Sequence, residues 1–234
     1  MKRLPLPKDN LLFGFTPKLT DEQRVFVDSI FDYQLTICNA RSGTGKTLLS
    51  VACAKLFEKD LVYIFSATQE SVMGYRPGAQ CEKELAYIVP LKDALVEINE
   101  DPNQVVFYED DFKDSNSKKC KDMMRALKEG KIWVYPRSHV FARGTNIKDC
   151  TVILDECQNF RINELRKVLT RIHDDCKVIM IGHTGQCDLK NPEESGFVKY
   201  IEHFKDKDYA NICELSWNFR GKLAHDADQI EEIN

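Results

Sequence analysis

The chain has 234 residues, 43% hydrophobic and 30% charged, which supports a packed core and excludes a disordered or fibrous chain. Its net charge of -4 shows no global basic excess of the kind that marks a dedicated nucleic-acid binder, although a local basic groove is compatible with it. No run of about 18 apolar residues occurs, and residues 1–10 lead into no apolar stretch long enough for a signal peptide, so neither a membrane span nor secretion is expected.

Nine cysteines with no CxxC pair argue against a zinc ribbon or a thioredoxin-type site. Several lie in apolar runs, and all are expected to be reduced, buried thiols of a cytoplasmic protein. The length fits one α/β domain. Residues 1–19, with Pro5, Pro7 and Pro17, are expected to form an extended arm ahead of a domain spanning 20–234.

From Thr20 the pattern becomes periodic. Thr20 followed by Gln23 has the spacing of a capping box, and Val25, Phe26, Ile30 and Phe31 supply the apolar face of the helix it opens. Residues 35–38 form an apolar strand, followed by a glycine-rich turn and a helix to about residue 58. A second strand is expected at 61–65. Residues 81–99 have helical period through Leu85, Ile88, Leu91 and Leu95, with Pro90 kinking or dividing the helix. A short strand is expected at 105–108, a polar solvated insertion at 109–122, a helix at 123–128 and a strand at 132–135. Strands at 151–154, 178–181 and 212–215 then alternate with helices at 163–172, 196–204 and about 221–230. Short apolar strands alternating with helices predict a parallel sheet covered on both faces.

The most specific segment is Ala40-Arg41-Ser42-Gly43-Thr44-Gly45-Lys46-Thr47, set between a predicted strand and a predicted helix. That context is what a phosphate loop requires. Gly43 and Gly45 let backbone N–H groups turn inward around phosphate oxygens, and the helix start adds its positive end. Lys46 is placed to reach the β- and γ-phosphates, and the Thr47 hydroxyl to ligate Mg2+. The backbone from Ala40 through Arg41, Ser42, Gly43, Thr44, Gly45, Lys46 and Thr47 to Leu48 is the candidate nucleotide-binding segment. Ala40 stands where such loops usually carry a first glycine.

About 110 residues downstream, the apolar run Thr151-Val152-Ile153-Leu154 ends in Asp155 and Glu156. Carboxylates at the end of a buried parallel strand lie where ligands bind in α/β sheets. Asp155 is the candidate metal ligand, mostly through water, and Glu156 the residue that orients the attacking water. The run at 178–182 ends before His183 and Gln186. Gln186 is a candidate γ-phosphate contact, and His183 is taken as an ordinary loop residue. Arg143 and Arg220, each beside a glycine, are candidates for stabilising charge in the transition state.

The loop at 40–47 and the run Val152-Ile153-Leu154-Asp155-Glu156-Cys157-Gln158-Asn159 together resemble the PhoH-like proteins, P-loop ATPases related to superfamily 1 helicase cores. Further segments carry the resemblance: 73–78 with 89–95, Arg143-Gly144-Thr145, and Phe219-Arg220. It covers about residues 20–231. It implies a RecA-like sheet, ATP hydrolysis with Mg2+, an RNA or single-stranded nucleic-acid partner, and a homo-oligomer, frequently a ring, across whose interface Arg143 or Arg220 would act. It also implies that Gln23 contacts adenine, and that Gln158 and Gln186 match family motifs. Two departures stand out: Ala40 replaces a glycine, and His183 stands where the family usually has Asp. They motivate an alternative reading, a nucleotide-gated binding module with little hydrolysis.

Overall fold

The computed structural model describes residues 19–66, 85–109, 117–142 and 146–227. The segments 73–78 and Arg143-Gly144-Thr145, most of the expected N-terminal arm, and the end of the last helix lie outside the described residues.

Six strands form one parallel sheet: β1 (Leu35–Ala40), β2 (Leu61–Phe65), β3 (Val134–Ser138), β4 (Thr151–Asp155), β5 (Lys177–Gly182) and β6 (Ala210–Leu215). Their order is β3-β2-β4-β5-β1-β6. Among the described residues, the helices longer than a single turn are α1 (Asp21–Asp32), α2 (Lys46–Leu56), α3 (Val89–Glu97), α4 (Lys118–Lys128), α5 (Ile162–Leu169), α6 (Phe197–Phe204) and α7 (Lys222–Ala227). This is the expected α/β architecture.

Side chains alternate across the strands, as the two-residue pleat dictates. Cys38, Tyr63, Ile153, Ile181 and Cys213 join α1, α2 and α3 in one core cluster, with Phe26, Ile30, Leu49 and Leu91. Ile37, Ile64, Leu154 and Met180 face the opposite way and pack with Leu165 and Val168 of α5 and Phe197 of α6. Burying each such side chain contributes about 1.5–3 kcal/mol. Two apolar layers therefore hold the strand ends in fixed relative positions, and β4 is buried along its whole length.

The strand order decides where a ligand goes. From β1 the chain crosses over β5 and β4 to reach β2, and it later returns to place β6 on the far side of β1. The C-terminal ends of β1 and β4 flank that of β5, and a crevice outside such ends is where parallel sheets bind ligands.

Several boundaries differ from expectation for identifiable reasons. Residues 105–108 are not a strand: Asp101 caps a single helical turn (Pro102–Val105) by accepting from the Asn103 N–H at 3.0 Å, and Val106 makes one isolated bridge to Val134. Asp-Pro is a helix-start signal that outweighed a short apolar run. Helix α4 starts at Lys118, inside the stretch expected to be a solvated insertion. Ser117 caps it by accepting from the Cys120 N–H at 3.0 Å, and Cys120, Met123 and Ala126 bury one narrow face. Pro90 divides the expected helix rather than kinking it. It sits in the first turn of α3, after a 3-10 turn (Leu85–Ile88), where a missing N–H costs nothing. β3 begins later than expected and carries Pro136, which an edge strand tolerates. Eight of the cysteines are free thiols, seven of them buried and Cys187 half-buried; Cys81 lies outside the described residues.

Candidate nucleotide site

The loop between β1 and α2 has the backbone its glycines predict. Gly43 and Gly45 take φ values of 81° and 84°, in the left-handed region, and Gly45 is the N-cap of α2. Gly45 supplies no capping side chain to the first N–H groups of α2. Thr44 closes the loop on itself, its hydroxyl donating to the Arg41 carbonyl at 3.0 Å. Ala40 is buried at the end of β1 and continues the strand register against Leu215, so the missing glycine leaves the strand-to-loop passage regular. Lys46 is buried, Ser42 and Thr47 are half-buried, and Arg41 is exposed. Leu48 is half-buried and packs against the core cluster.

The acidic strand meets this loop directly. The Thr47 hydroxyl donates to Asp155 Oδ2 at 3.2 Å, across 108 residues of sequence and over the end of β5. The same oxygen accepts from the Tyr63 hydroxyl, and Asp155 Oδ1 accepts from the Glu156 N–H at 2.8 Å. Burial pushes the Asp155 carboxyl up to about 6, and the neighbouring Glu156 pushes the same way, against the Tyr63 hydroxyl and Lys46. A raised carboxyl favours folding in its protonated form. Its stabilising contribution is therefore complete below the ordinary Asp value near 4 and lost as pH rises through about 6. Thermal melts of the ligand-free chain from pH 4.5 to 7, set against Asp155→Asn, are expected to show the wild type losing ground as pH rises. A pH-independent difference would contradict this.

Glu156 has φ 53°, an unusual value for a non-glycine residue, which turns its side chain out of the β4 line at the strand exit. Its Oε2 accepts from Gln158 Nε2 at 2.5 Å, and Gln158 Oε1 accepts from the His183 N–H at 3.0 Å. Gln158 thus ties the end of β4 to the end of β5. Gly182 makes room for it, since a Cβ there would lie 2.6 Å from Gln158 Oε1. Asn159 adds a two-point pairing with Asp188: its Nδ2 donates to Oδ2 at 2.7 Å, and its Oδ1 accepts from the Asp188 N–H at 2.8 Å.

After β6 the chain folds back onto the phosphate loop. The Phe219 N–H donates to the Gly43 carbonyl at 2.9 Å, and Arg220 Nη1 donates to Ser42 Oγ at 2.7 Å. Ser42, Gln186, Asn218, Arg220, Ala224 and Ala227 line a cleft of about 370 Å3. Gln186 and Arg220, far apart in sequence, therefore share one cleft with the loop. Arg220 approaches the loop of its own chain and needs no second subunit to do so. Gln23 also reaches the loop, donating from Nε2 to the Thr44 carbonyl at 3.0 Å. Arg143 lies outside the described residues. A larger groove of about 470 Å3 is lined only by α4 and its exit, including Lys121, Arg125 and Lys128, with nothing from the strand ends.

Three sets of contacts at the site were not evident from the sequence. Tyr63 is an apolar strand residue by pattern, and only the β2–β4 pairing brings its hydroxyl to Asp155. Asn218 carries no motif; its Oδ1 sits beside Gly43 and accepts from the Arg220 N–H at 2.8 Å. The Asn159–Asp188 pair joins two segments that only the sheet order makes adjacent.

Comparison with known proteins now adds a family. The family model described as PhoH-like protein matches residues 16–228. The chain belongs to the PhoH-like family. A PhoH-like protein of Synechocystis sp. is 30% identical over 203 residues, covering 84% of this chain and 56% of the relative. One of Mycobacterium tuberculosis is 29% identical over 207 residues, covering 86% and 52%. The chain thus spans about half the length of these curated PhoH-like relatives. Among solved structures, the large terminase of a thermophilic bacteriophage superposes with a TM-score of 0.52 at 14% identity, covering 92% of this chain and 48% of the terminase. That likeness is one of fold alone, a sheet with helices of the same arrangement. No helix among the described residues is long and apolar enough to cross a membrane.

Proposed function

We propose that residues 20–234 of this PhoH-like chain bind ATP with Mg2+ and hydrolyse it, coupled to RNA or another single-stranded nucleic acid in the cytoplasm. The observation that carries the reading is the 3.2 Å contact between Thr47 and Asp155, which joins a lysine-tipped phosphate loop to an acidic strand end. The donor set suits the ion. A hydroxyl and a carboxylate are hard oxygen ligands, and Mg2+ takes one or two of these plus phosphate oxygens and water. No cluster of three or more His, Cys, Asp or Glu able to hold a metal occurs among the described residues, so the ion would depend on the nucleotide's phosphates. When bound, Mg2+ would neutralise developing charge on the β- and γ-phosphates.

The chain's own groups divide the remaining work. Loop N–H groups and Lys46 bind the phosphates. Thr47 and Asp155 would hold the ion. Glu156 orients and deprotonates the attacking water. Gln186 contacts the γ-phosphate, and Arg220, already at the loop, compensates transition-state charge in cis. The family resemblance motivates the nucleic-acid partner and a homo-oligomer.

A second reading, a nucleotide-gated binding module with slow turnover, draws on the bond from Gln158 to Glu156, which ties up one oxygen of the base. ATP turnover measured with and without single-stranded RNA at low salt separates the two. Stimulation that fades with added salt is expected for the coupled ATPase. Binding without turnover, with or without RNA, would favour the second reading.

A further inference from the structure

Helix α4 and its exit concentrate positive charge in a chain whose balance is acidic. Residues 117–131 carry six Lys or Arg against two acids, a local net of +4 in a chain of net charge -4. We infer that the exposed face of α4 is a docking surface for the sugar-phosphate backbone of a nucleic acid, held without regard to base sequence. This gives the nucleic-acid partner of the proposed function a place on the chain, and it rests on that part of the reading alone.

The helix period sorts the side chains. Lys118, Lys121, Arg125 and Lys128 follow one another at intervals of three, four and three residues, so they line one face. All four are exposed. At 1.5 Å per residue the stripe is about 15 Å long. The opposite face carries Cys120, Met123 and Ala126, which are buried. Met123 and Ala126 pack with Ile132 against Phe107 and Tyr135. Glu129 accepts from Arg125 Nε at 2.8 Å and from Lys131 Nζ at 2.7 Å. Lys118, Lys121 and Lys128 make no ion pair among the described residues, so their charge stays open to a ligand. The groove of about 470 Å3 noted above runs beside Lys121, Met124, Arg125 and Lys128.

The chemistry of this face selects its partner. A lipid surface takes up a helix through its apolar side, and that side of α4 is already covered. Met124 is the only large apolar side chain that α4 exposes, so the face lacks the aromatic or apolar centre of a protein interface. Cations spaced along one line match a phosphate backbone. With no aromatic ring on the stripe for bases to stack on, the contact positions a strand and carries no sequence information.

The test is fluorescence anisotropy of labelled oligouridine and of a mixed-sequence single-stranded RNA, without nucleotide, over a salt series. Three paired variants are compared with wild type: Lys121→Gln with Lys128→Gln, Lys121→Arg with Lys128→Arg, and, as a control of equal charge change, Lys167→Gln with Lys199→Gln on exposed positions of α5 and α6. The glutamine pair on α4 is expected to weaken both RNAs about tenfold at low salt. It should also flatten the slope of log affinity against log salt by about 1.4, for two lost contacts to a single strand. The arginine pair and the control pair should bind as wild type does. Melts and RNA-free ATP turnover should be unchanged in all three, since none of these residues lies at the phosphate loop or the acidic strand end. Equal weakening by the α4 and control glutamine pairs would overturn the inference, because net charge alone would then explain the loss. So would wild-type RNA binding in the α4 pair, even if RNA stimulates turnover, in which case the coupled ATPase stands and its RNA lies elsewhere. Loss of binding to phosphatidylserine vesicles in the α4 pair, with RNA binding intact, would assign the face to a membrane surface instead. RNA binding is read without ATP, so a chain that hydrolyses nothing still decides the question.

Discussion

Replacing Lys46 with alanine is expected to lower kcat/KM for ATP about a thousandfold, because the ammonium is the only positive side chain of the phosphate loop that is buried beside the acidic strand end. Its position explains the size of the effect. Lys46 opens α2 directly after a left-handed glycine, so its charge adds to the helix N-terminus at the same spot. Its loss also removes a neighbour that favours the ionised form of Asp155, so under the proposed function metal binding is expected to weaken along with phosphate binding. Arginine is not expected to rescue, since a planar fork does not fill the place of a compact ammonium. Steady-state kinetics, with a melt to show that the variant is folded, checks this. A variant that keeps its turnover would mean that the loop does not hold the triphosphate.

Glu156→Gln separates binding from chemistry. The substitution keeps the shape of the side chain and the left-handed backbone at this residue. It removes the ability to take a proton from water. ATP affinity should stay within a fewfold of wild type, while kcat falls about a hundred- to ten-thousandfold. Single-turnover measurements with bound ATP check the split. Equal turnover in variant and wild type would remove Glu156 from the chemistry, and a parallel loss of affinity would make it a binding residue instead.

Most of the sheet was legible because its strands are short apolar runs separated by helices with clear period. The phosphate loop and the acidic strand were legible because each places several specific residue types at fixed spacing. What the sequence did not show falls into two groups. Boundaries slipped where a local polar signal outweighed composition: Asp101-Pro102 made a helical turn of an expected strand, and Ser117 opened α4 within a charged stretch. Site contacts were missed where adjacency depends on sheet order. The Tyr63 hydroxyl reaches Asp155 only because β2 pairs with β4. Gln158 reaches the His183 N–H only because β5 lies beside β4. Gln23 was noticed for both its cap spacing and its family position, and the structure joins it to the loop through a carbonyl that no side-chain pattern reveals.

The most direct measurement is phosphate release from ATP by the purified chain, followed before and after addition of Mg2+. The arrangement of Lys46, Thr47, Asp155 and Glu156 predicts negligible release without the ion and sustained turnover once it is added. Release that ignores Mg2+, or none under either condition, would contradict the assignment of this crevice as an ATP-hydrolysing site.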